Sequence, residues 1–224
     1  MRNVSAACQC RLVVLIALFC LIVSCASFEK TIEDSTQLHQ ELASGNKSVV
    51  MGRIEWIFGG KEKTFSKGIF GSDMTPQLVR IEDRARINYS ITETGHFVWM
   101  LDPGTYVINK IEYRDQWSGS YFIVPQVGFS VPEKGQRYYI GNLRIDMSAK
   151  RDFLGGLSGK VTITVEDKWD ETYPVIRSKT GAAKEQVNKL IMVHDSRLPK
   201  TFDSTPDFIL ALELLKTLSI GMPK

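Results

Sequence analysis

Lys160-Val161-Thr162-Ile163-Thr164-Val165-Glu166 places an apolar side chain at every second position. Side chains of an extended chain point alternately to opposite faces, so the stretch reads as a strand with Val161, Ile163 and Val165 inward and Lys160, Thr162, Thr164 and Glu166 in water. The same period recurs toward the N-terminus. In 137–147, Leu143, Ile145 and Met147 alternate with Arg144 and Asp146; in 52–58, Ile54, Trp56 and Phe58 alternate with Arg53 and Glu55. Between these lie further short runs rich in Val, Ile, Tyr, Phe and Trp, at 64–70, 78–81, 85–91, 96–101, 106–113, 120–124 and 127–131. Gly59-Gly60, Asp102-Pro103-Gly104-Thr105 and Pro132-Glu133-Lys134-Gly135 supply the reversals, because Pro presets φ and Gly accepts positive φ.

About nine short strands with Gly and Pro turns predict a mainly β chain, an antiparallel β-sandwich over 48–170. Ahead of it, 25–47 is polar, with Phe28, Ile32, Leu38 and Leu42 widely spaced, and reads as a tether with a short helix ended by Gly45-Asn46. Behind it, 171–224 reads as a small helical appendage. One helix is expected at 182–194, with Ala183, Val187, Leu190 and Ile191 on one face. A second is expected at 206–219, capped by Thr205, with Pro206 at its first position and Gly221 past its end. This second helix is apolar on nearly every side except Glu213 and Lys216, so it packs on the sandwich or meets a partner.

The composition, 43% hydrophobic and 24% charged over 224 residues, is that of a folded domain. Arg2 and Arg11 precede the apolar run LVVLIALFCLIV at 12–23, the positive-then-apolar order of a secretory signal. Twelve residues are too few for a spanning helix, which needs about 20. Ile22-Val23-Ser24-Cys25 at its end resembles the bacterial lipobox. That resemblance implies cleavage between Ser24 and Cys25, removal of 1–24, and a diacylglyceryl thioether on the Cys25 sulfur. Two or three acyl chains hold a protein at a membrane almost indefinitely, each buried methylene contributing about 0.8 kcal/mol. Ala26 and Ser27 follow, without the aspartate that retains such proteins at the inner membrane, which favours the outer membrane in a Gram-negative host. Cleavage also removes Cys8, Cys10 and Cys20, leaving one cysteine, no internal disulfide and a net charge of +1 from 26 basic and 25 acidic residues. No basic footprint for nucleic acid is present.

Phe97-Val-Trp-Met-Leu-Asp-Pro-Gly-Thr-Tyr106, Val131-Pro-Glu-Lys-Gly135 and Tyr138-Tyr-Ile-Gly-Asn-Leu143 resemble lipoprotein domains of the transthyretin-like or carboxypeptidase-regulatory-like type. The resemblance covers about a quarter of the chain and implies a sandwich fold without an activity.

Chemical motifs are sparse. His39, His96 and His194 lack the spacing of a metal site, and His96 reads as a semi-buried structural histidine. Gly155-Gly156-Leu157-Ser158-Gly159-Lys160 misses the phosphate-loop pattern, with Leu154 and Val161 where Gly and Ser or Thr are required, and is no nucleophile elbow. The carboxylates of 166–171 lack calcium-loop spacing and read as a solvated strand-end loop. Trp56 and Trp99 sit on apolar strand faces and are assigned to the core; Trp117 and Trp169 lie in polar stretches and are candidates for stacking on a glycan. The sequence therefore predicts a lipid-anchored, non-enzymatic structural, assembly or binding module with no metal or cofactor. The partners would be membrane lipid and an envelope protein or glycan. A glycan- or peptidoglycan-binding lipoprotein and an envelope hydrolase are the alternatives.

Overall fold

The computed structural model describes residues 28–29, 40, 44–65, 72–91, 93–115, 119–151 and 157–219. In chain order the strands are β1 (Phe28–Glu29), β2 (Ser48–Phe58), β3 (Lys61–Glu62), β4 (Ser72–Arg80), β5 (Arg86–Tyr89), β6 (His96–Leu101), β7 (Gly104–Asp115), β8 (Gly119–Ile123), β9 (Val127–Val131), β10 (Arg137–Arg151), β11 (Leu157–Glu166), β12 (Asn188–Lys189) and β13 (Val193–His194). Two helices follow the long strands, α1 (Trp169–Thr180) and α2 (Thr205–Ser219).

The strands form two sheets. The first runs β1-β5-β4-β7-β9-β13, with β8 on the distal half of β7. The second runs β11-β10-β2-β3, with β6 and β12 on the proximal halves of β2 and β10. The chain is mainly β and sandwich-like, as the alternating pattern predicts. Its central pair in the second sheet, β2 with β10, is parallel, because almost the whole first sheet is inserted between the two strands.

Alternation decides which side chains meet between the sheets. Val50, Ile54 and Trp56 of β2, Phe97 and Trp99 of β6, Leu143 and Ile145 of β10, Leu78 of β4, Tyr106 and Ile108 of β7 and Val127 of β9 build one apolar cluster, with Ile163 and Val165 of β11 at its margin. Val161, expected inward, is 43% exposed. At several glycines an added Cβ would collide with its surroundings. A Cβ on Gly52 would sit 2.4 Å from the Gly141 carbonyl oxygen and 2.7 Å from the Phe97 ring, beside the bulge in β10 between Tyr139 and Asn142. A Cβ on Gly128 would sit 2.5 Å from Leu215 of α2.

Both outer faces of the sandwich carry a helix. α1 covers Val49, Met51, Val98, Met100 and Tyr139 of the second sheet with Trp169 and Ile176. α2 covers Val79, Ile81 and Val107 of the first with Phe208, Ala211 and Leu215, helped by Leu198 and Phe202.

The helical readings of the C-terminal part need correction. Residues 182–194 form no α-helix: a single 3-10 turn at Lys184–Gln186 is followed by β12 and β13. β12 pairs β10 and β13 pairs β9, and extended chain satisfies those strand edges better than a helix would. The stretch read as a solvated loop instead starts α1. Asp167 Oδ1 accepts from the Trp169 N–H at 3.1 Å, Asp170 and Glu171 occupy the positive end of the helix dipole, and Gly181 closes the far end in the left-handed conformation. At α2 the cap falls one residue earlier than expected: Asp207 Oδ2 accepts from both the Ser204 N–H (3.0 Å) and hydroxyl (2.6 Å), while Thr205 Oγ1 accepts from Arg84. Most of the tether helix, 66–70 of the strand expected over 64–70, the Gly155-Gly156 loop and Gly221 lie outside the described residues; Gln40 and Ser44 are helical, and Thr64 and Phe65 belong to no strand.

Candidate functional site

Two regions gather polar and charged side chains with defined geometry. The first lies on the outer face of the second sheet, under α1. In the β2–β10 register Glu55 stands beside Arg144, and Arg53 beside Asn142; across β2, Arg53 also pairs with His96 of β6. These positions belong to the polar half of each alternation, yet Glu55 is 3% exposed and Asn142 is fully buried because α1 roofs them.

Desolvating a carboxylate costs several kcal/mol unless donors replace the water. Here they do. Lys168 Nζ donates to both Glu55 oxygens at 3.1 and 3.2 Å, Arg53 Nη1 donates to Oε1 at 3.1 Å, and Asn142 Nδ2 approaches Oε1 at 3.5 Å. Asn142 Oδ1 accepts from the Thr172 and Tyr139 hydroxyls at 3.1 and 3.2 Å, and the Tyr139 oxygen accepts from the Lys168 N–H at 3.1 Å. Lys168 also meets Glu166 at 2.8 Å, which raises its pKa above that of an ordinary lysine. Burial pushes the Tyr139 phenol up to about 12, so it stays protonated and keeps donating. Glu55 is thus held by Lys168, Arg53 and Asn142, and the cluster works as a latch that ties the entry of α1 to the sheet.

His96 closes the same face. Its Nδ1 is 2.9 Å from Thr94 Oγ1 and the residue is 7% exposed, in keeping with the semi-buried structural role expected for it. Burial first, then the positive charges of Arg53 and Lys179, lower its pKa to about 4.

The second region is at β5, near the edge of the first sheet. Phe28 pairs with Asn88 and Glu29 with Tyr89 in parallel, so β1 lies along the Tyr89 half of β5. Arg86 Nη2 donates to the Phe202 carbonyl at 2.8 Å and meets Asp203 at 3.2 Å. Arg84 Nη2 donates to Thr205 Oγ1 at 3.0 Å, and its guanidinium lies 5.0 Å from the Phe208 ring centroid. The Arg86 end of β5 is therefore tied to the entry of α2.

The predicted site residues fare unequally. Ser24, Cys25 and Trp117 lie outside the described residues, as does His39. Trp56 and Trp99 are fully buried between the sheets, as their apolar strand faces imply. Trp169 is corrected: it is no loop residue with a free face but the first residue of α1, 4% exposed, with Tyr139 and Tyr173 rings each 4.9 Å away and Lys189 Nζ 5.6 Å over its ring. The carboxylates around it answer cations individually, Asp167 with Lys189 at 3.0 Å and Asp170 with Lys184 at 2.9 Å. The latch escaped the sequence reading because its members come from three elements. Among the described residues, no helix is long and apolar enough to cross a membrane.

No family model matches the chain, and no curated protein matches it. A crystal structure from Bacteroides uniformis, provisionally described as a carbohydrate binding protein, is similar over 54% of this chain and 54% of its own, at 12% identity and a TM-score of 0.25. The chain thus spans about half the length of that structure, an overlap too slight to carry a fold or a ligand across.

Proposed function

We propose that the protein is a lipid-anchored component of a bacterial envelope whose β-sandwich acts as a structural, assembly or binding module without catalysis. The observation that carries the reading is the signal itself: Arg2 and Arg11, a twelve-residue apolar run, then Ile22-Val23-Ser24-Cys25. In this reading Cys25 becomes the acylated first residue, and the outer membrane is the destination in a Gram-negative host. The resemblance of the turn motifs in 97–145 to those of transthyretin-like and carboxypeptidase-regulatory-like domains supports a sandwich of that type.

Two structural features bear on the alternatives. The best-formed polar cluster is saturated by its own partners. Trp169, one of two tryptophans proposed for glycan stacking, is committed to the packing of α1.

Intact mass and membrane fractionation of the protein beside a Cys25→Ala variant, both expressed in a bacterial host, test the anchor. Loss of 1–24 with added acyl mass, both abolished by the substitution, is the expected result. A full-length or unacylated soluble product refutes it.

A further inference from the structure

β11 is hydrogen-bonded to one neighbour, β10, and closes the second sheet on that side. The Met147 carbonyl turns toward β2, where it accepts from the Gly59 N–H at 3.2 Å; the Lys160 carbonyl turns toward β10, where it accepts from the Ser148 hydroxyl at 3.1 Å. Met147 stands opposite Val161, so alternation points the backbone N–H and C=O of Val161, Ile163 and Val165 out of the sheet edge, away from β10. Among the described residues no strand pairs with that edge; β13 passes near it without a ladder. Natural sheets blunt such edges with prolines, bulges, inward charges or very short strands. Here β1, β3, β12 and β13 are two residues long, and β6 is buried at every position. Residues 160–166 of β11 carry none of these guards: their register with β10 runs without a shift, proline is absent, and the inward side chains are Val161, Ile163 and Val165.

The occupant is written in the strand itself. Lys160-Val161-Thr162-Ile163-Thr164-Val165-Glu166 is chemically complementary to its own reverse: two copies laid antiparallel about a two-fold axis through Ile163 oppose Ile163 to Ile163, Val161 to Val165, Thr162 to Thr164 and Lys160 to Glu166. We infer that the protein forms a two-fold dimer through β11, joining the second sheets of two copies into one continuous sheet. In this register the outward backbone of Val161, Ile163 and Val165 meets its like, giving three hydrogen-bonded pairs that exchange two bonds each. The Thr and Lys–Glu pairs fall at the narrow positions between them, where side chains approach closest. Moving the register two residues either way sets Lys160 against Thr164 or against Lys168, so the ion pairs are lost or like charges meet. An axis perpendicular to the sheet keeps both inner faces on one side, and Val161, 43% exposed in the single chain, gains Val165 of the second copy. Lys160 is exposed, and Glu166, whose side chain is 35% exposed, meets Lys168 through Oε2, which leaves room for a second cation at the carboxylate. The pairing does not depend on how Cys25 is processed.

The test is analytical ultracentrifugation of the full chain, expressed in a bacterial host and purified in density-matched detergent, from about 1 μM to about 100 μM. A monomer–dimer equilibrium with the dimer dominant at the upper end is expected. Val161→Pro removes an edge-facing N–H and leaves the β10 ladder whole, while Lys160→Glu sets two carboxylates against each other across the interface. Each should weaken self-association about tenfold or more, with the melting of the dilute monomer unchanged. Ile163→Cys lies on the axis, where paired Cα atoms stand about 5.5 Å apart, so mild oxidation should trap a covalent dimer. Val161→Cys sets its two copies about 13 Å apart along the strands and should give no more than the parent, whose own cysteines define the background. The double variant Val161→Cys, Val165→Cys traps the dimer at separate positions should Ile163→Cys misfold. A parent that stays monomeric at the highest concentration, or a dimer that Val161→Pro and Lys160→Glu leave intact, overturns the inference. Equal trapping by Val161→Cys and Ile163→Cys overturns the two-fold register and the pairing argued from it.

Discussion

Replacing Trp169 by alanine separates a packing role from a ligand role. The side chain is 4% exposed and wedged between Tyr139 and Tyr173, ring centroids 4.9 Å away on either side. A buried tryptophan removes about 150–250 Å² from water, which at roughly 25 cal/mol per Å² is about 4–6 kcal/mol. Alanine recovers part of this, and mutational series for Trp→Ala in cores give about 3–5 kcal/mol. The Lys189 ammonium over the ring, on a part-exposed side chain, adds about 0.5 kcal/mol. Taking about 4 kcal/mol and about 2–4 °C per kcal/mol for a domain of this size, Trp169→Ala should melt roughly 8–16 °C below the parent. Trp169→Phe should lose less than half of that, because it keeps most of the contact with Tyr139. Thermal unfolding followed by near-ultraviolet circular dichroism reads the shift directly. A Trp169→Ala variant melting within about 2 °C of the parent would refute the packing argument, since a residue of that size cannot leave a closed cluster without cost.

Two further perturbations address the charged face under α1. His96 has a folded pKa near 4 against an ordinary 6.5, so between those values the unfolded chain binds more protons. Stability is therefore complete above about pH 6.5 and declines as pH falls toward 4, by up to about 3 kcal/mol from this residue. The groups facing it are Arg53, Glu55, Thr94 and Lys179. Urea titrations from pH 7.5 to 4.5 should show the decline in the parent and a flatter profile in His96→Gln; parallel profiles would assign the slope to other groups. For the latch, Glu55→Gln keeps the shape but strips the charge that Lys168 and Arg53 share. Because Lys168 retains Glu166 and Arg53 retains Glu62, and Lys168 is 24% exposed, the expected cost is about 2 kcal/mol, below the roughly 3–5 kcal/mol of a fully orphaned buried partner. A double-mutant cycle with Lys168→Met should give a coupling of about 1 kcal/mol, and a coupling indistinguishable from zero would mean that solvent already serves both charges.

The strands were legible in the sequence because a sheet with one buried face imposes a period of two, and that period survives in 52–58, 137–147 and 160–166 with few interruptions. α1 was partly legible: Trp169, Thr172, Tyr173, Ile176 and Thr180 recur at helical spacing before Gly181. Pro174 inside the segment and the acids around Trp169 point to a loop when read singly, yet Asp170 and Glu171 suit a helix start and Pro174 stands on the exposed side of α1. The region after it misleads in the opposite direction. Ala183, Val187, Leu190 and Ile191 have helical spacing, but Leu190 and Met192 donate their N–H groups to the carbonyls of Tyr139 and Ile140, a demand set by β10 some fifty residues earlier. Tertiary pairing overrides local periodicity there.

The latch was illegible for a deeper reason. Arg53, Glu55, Asn142 and Arg144 stand on the polar side of alternating strands, and alternation assigns that side to water. Only the packing of Trp169 and Ile176 onto Val49, Met51, Val98 and Met100 brings α1 down over them. Burial is thus conferred on Glu55 by apolar neighbours from its own and adjoining strands, and the donors that make burial tolerable arrive on the same helix: Lys168 immediately before it, Thr172 within it. The residue types that suggest chemistry in a sequence, a carboxylate, a lysine, a histidine and a tryptophan, converge here to secure one helix to one sheet. The large apolar side chains exposed among the described residues lie away from this cluster: Phe122 on β8, Val161 on β11, and Ile209 and Leu210 on α2.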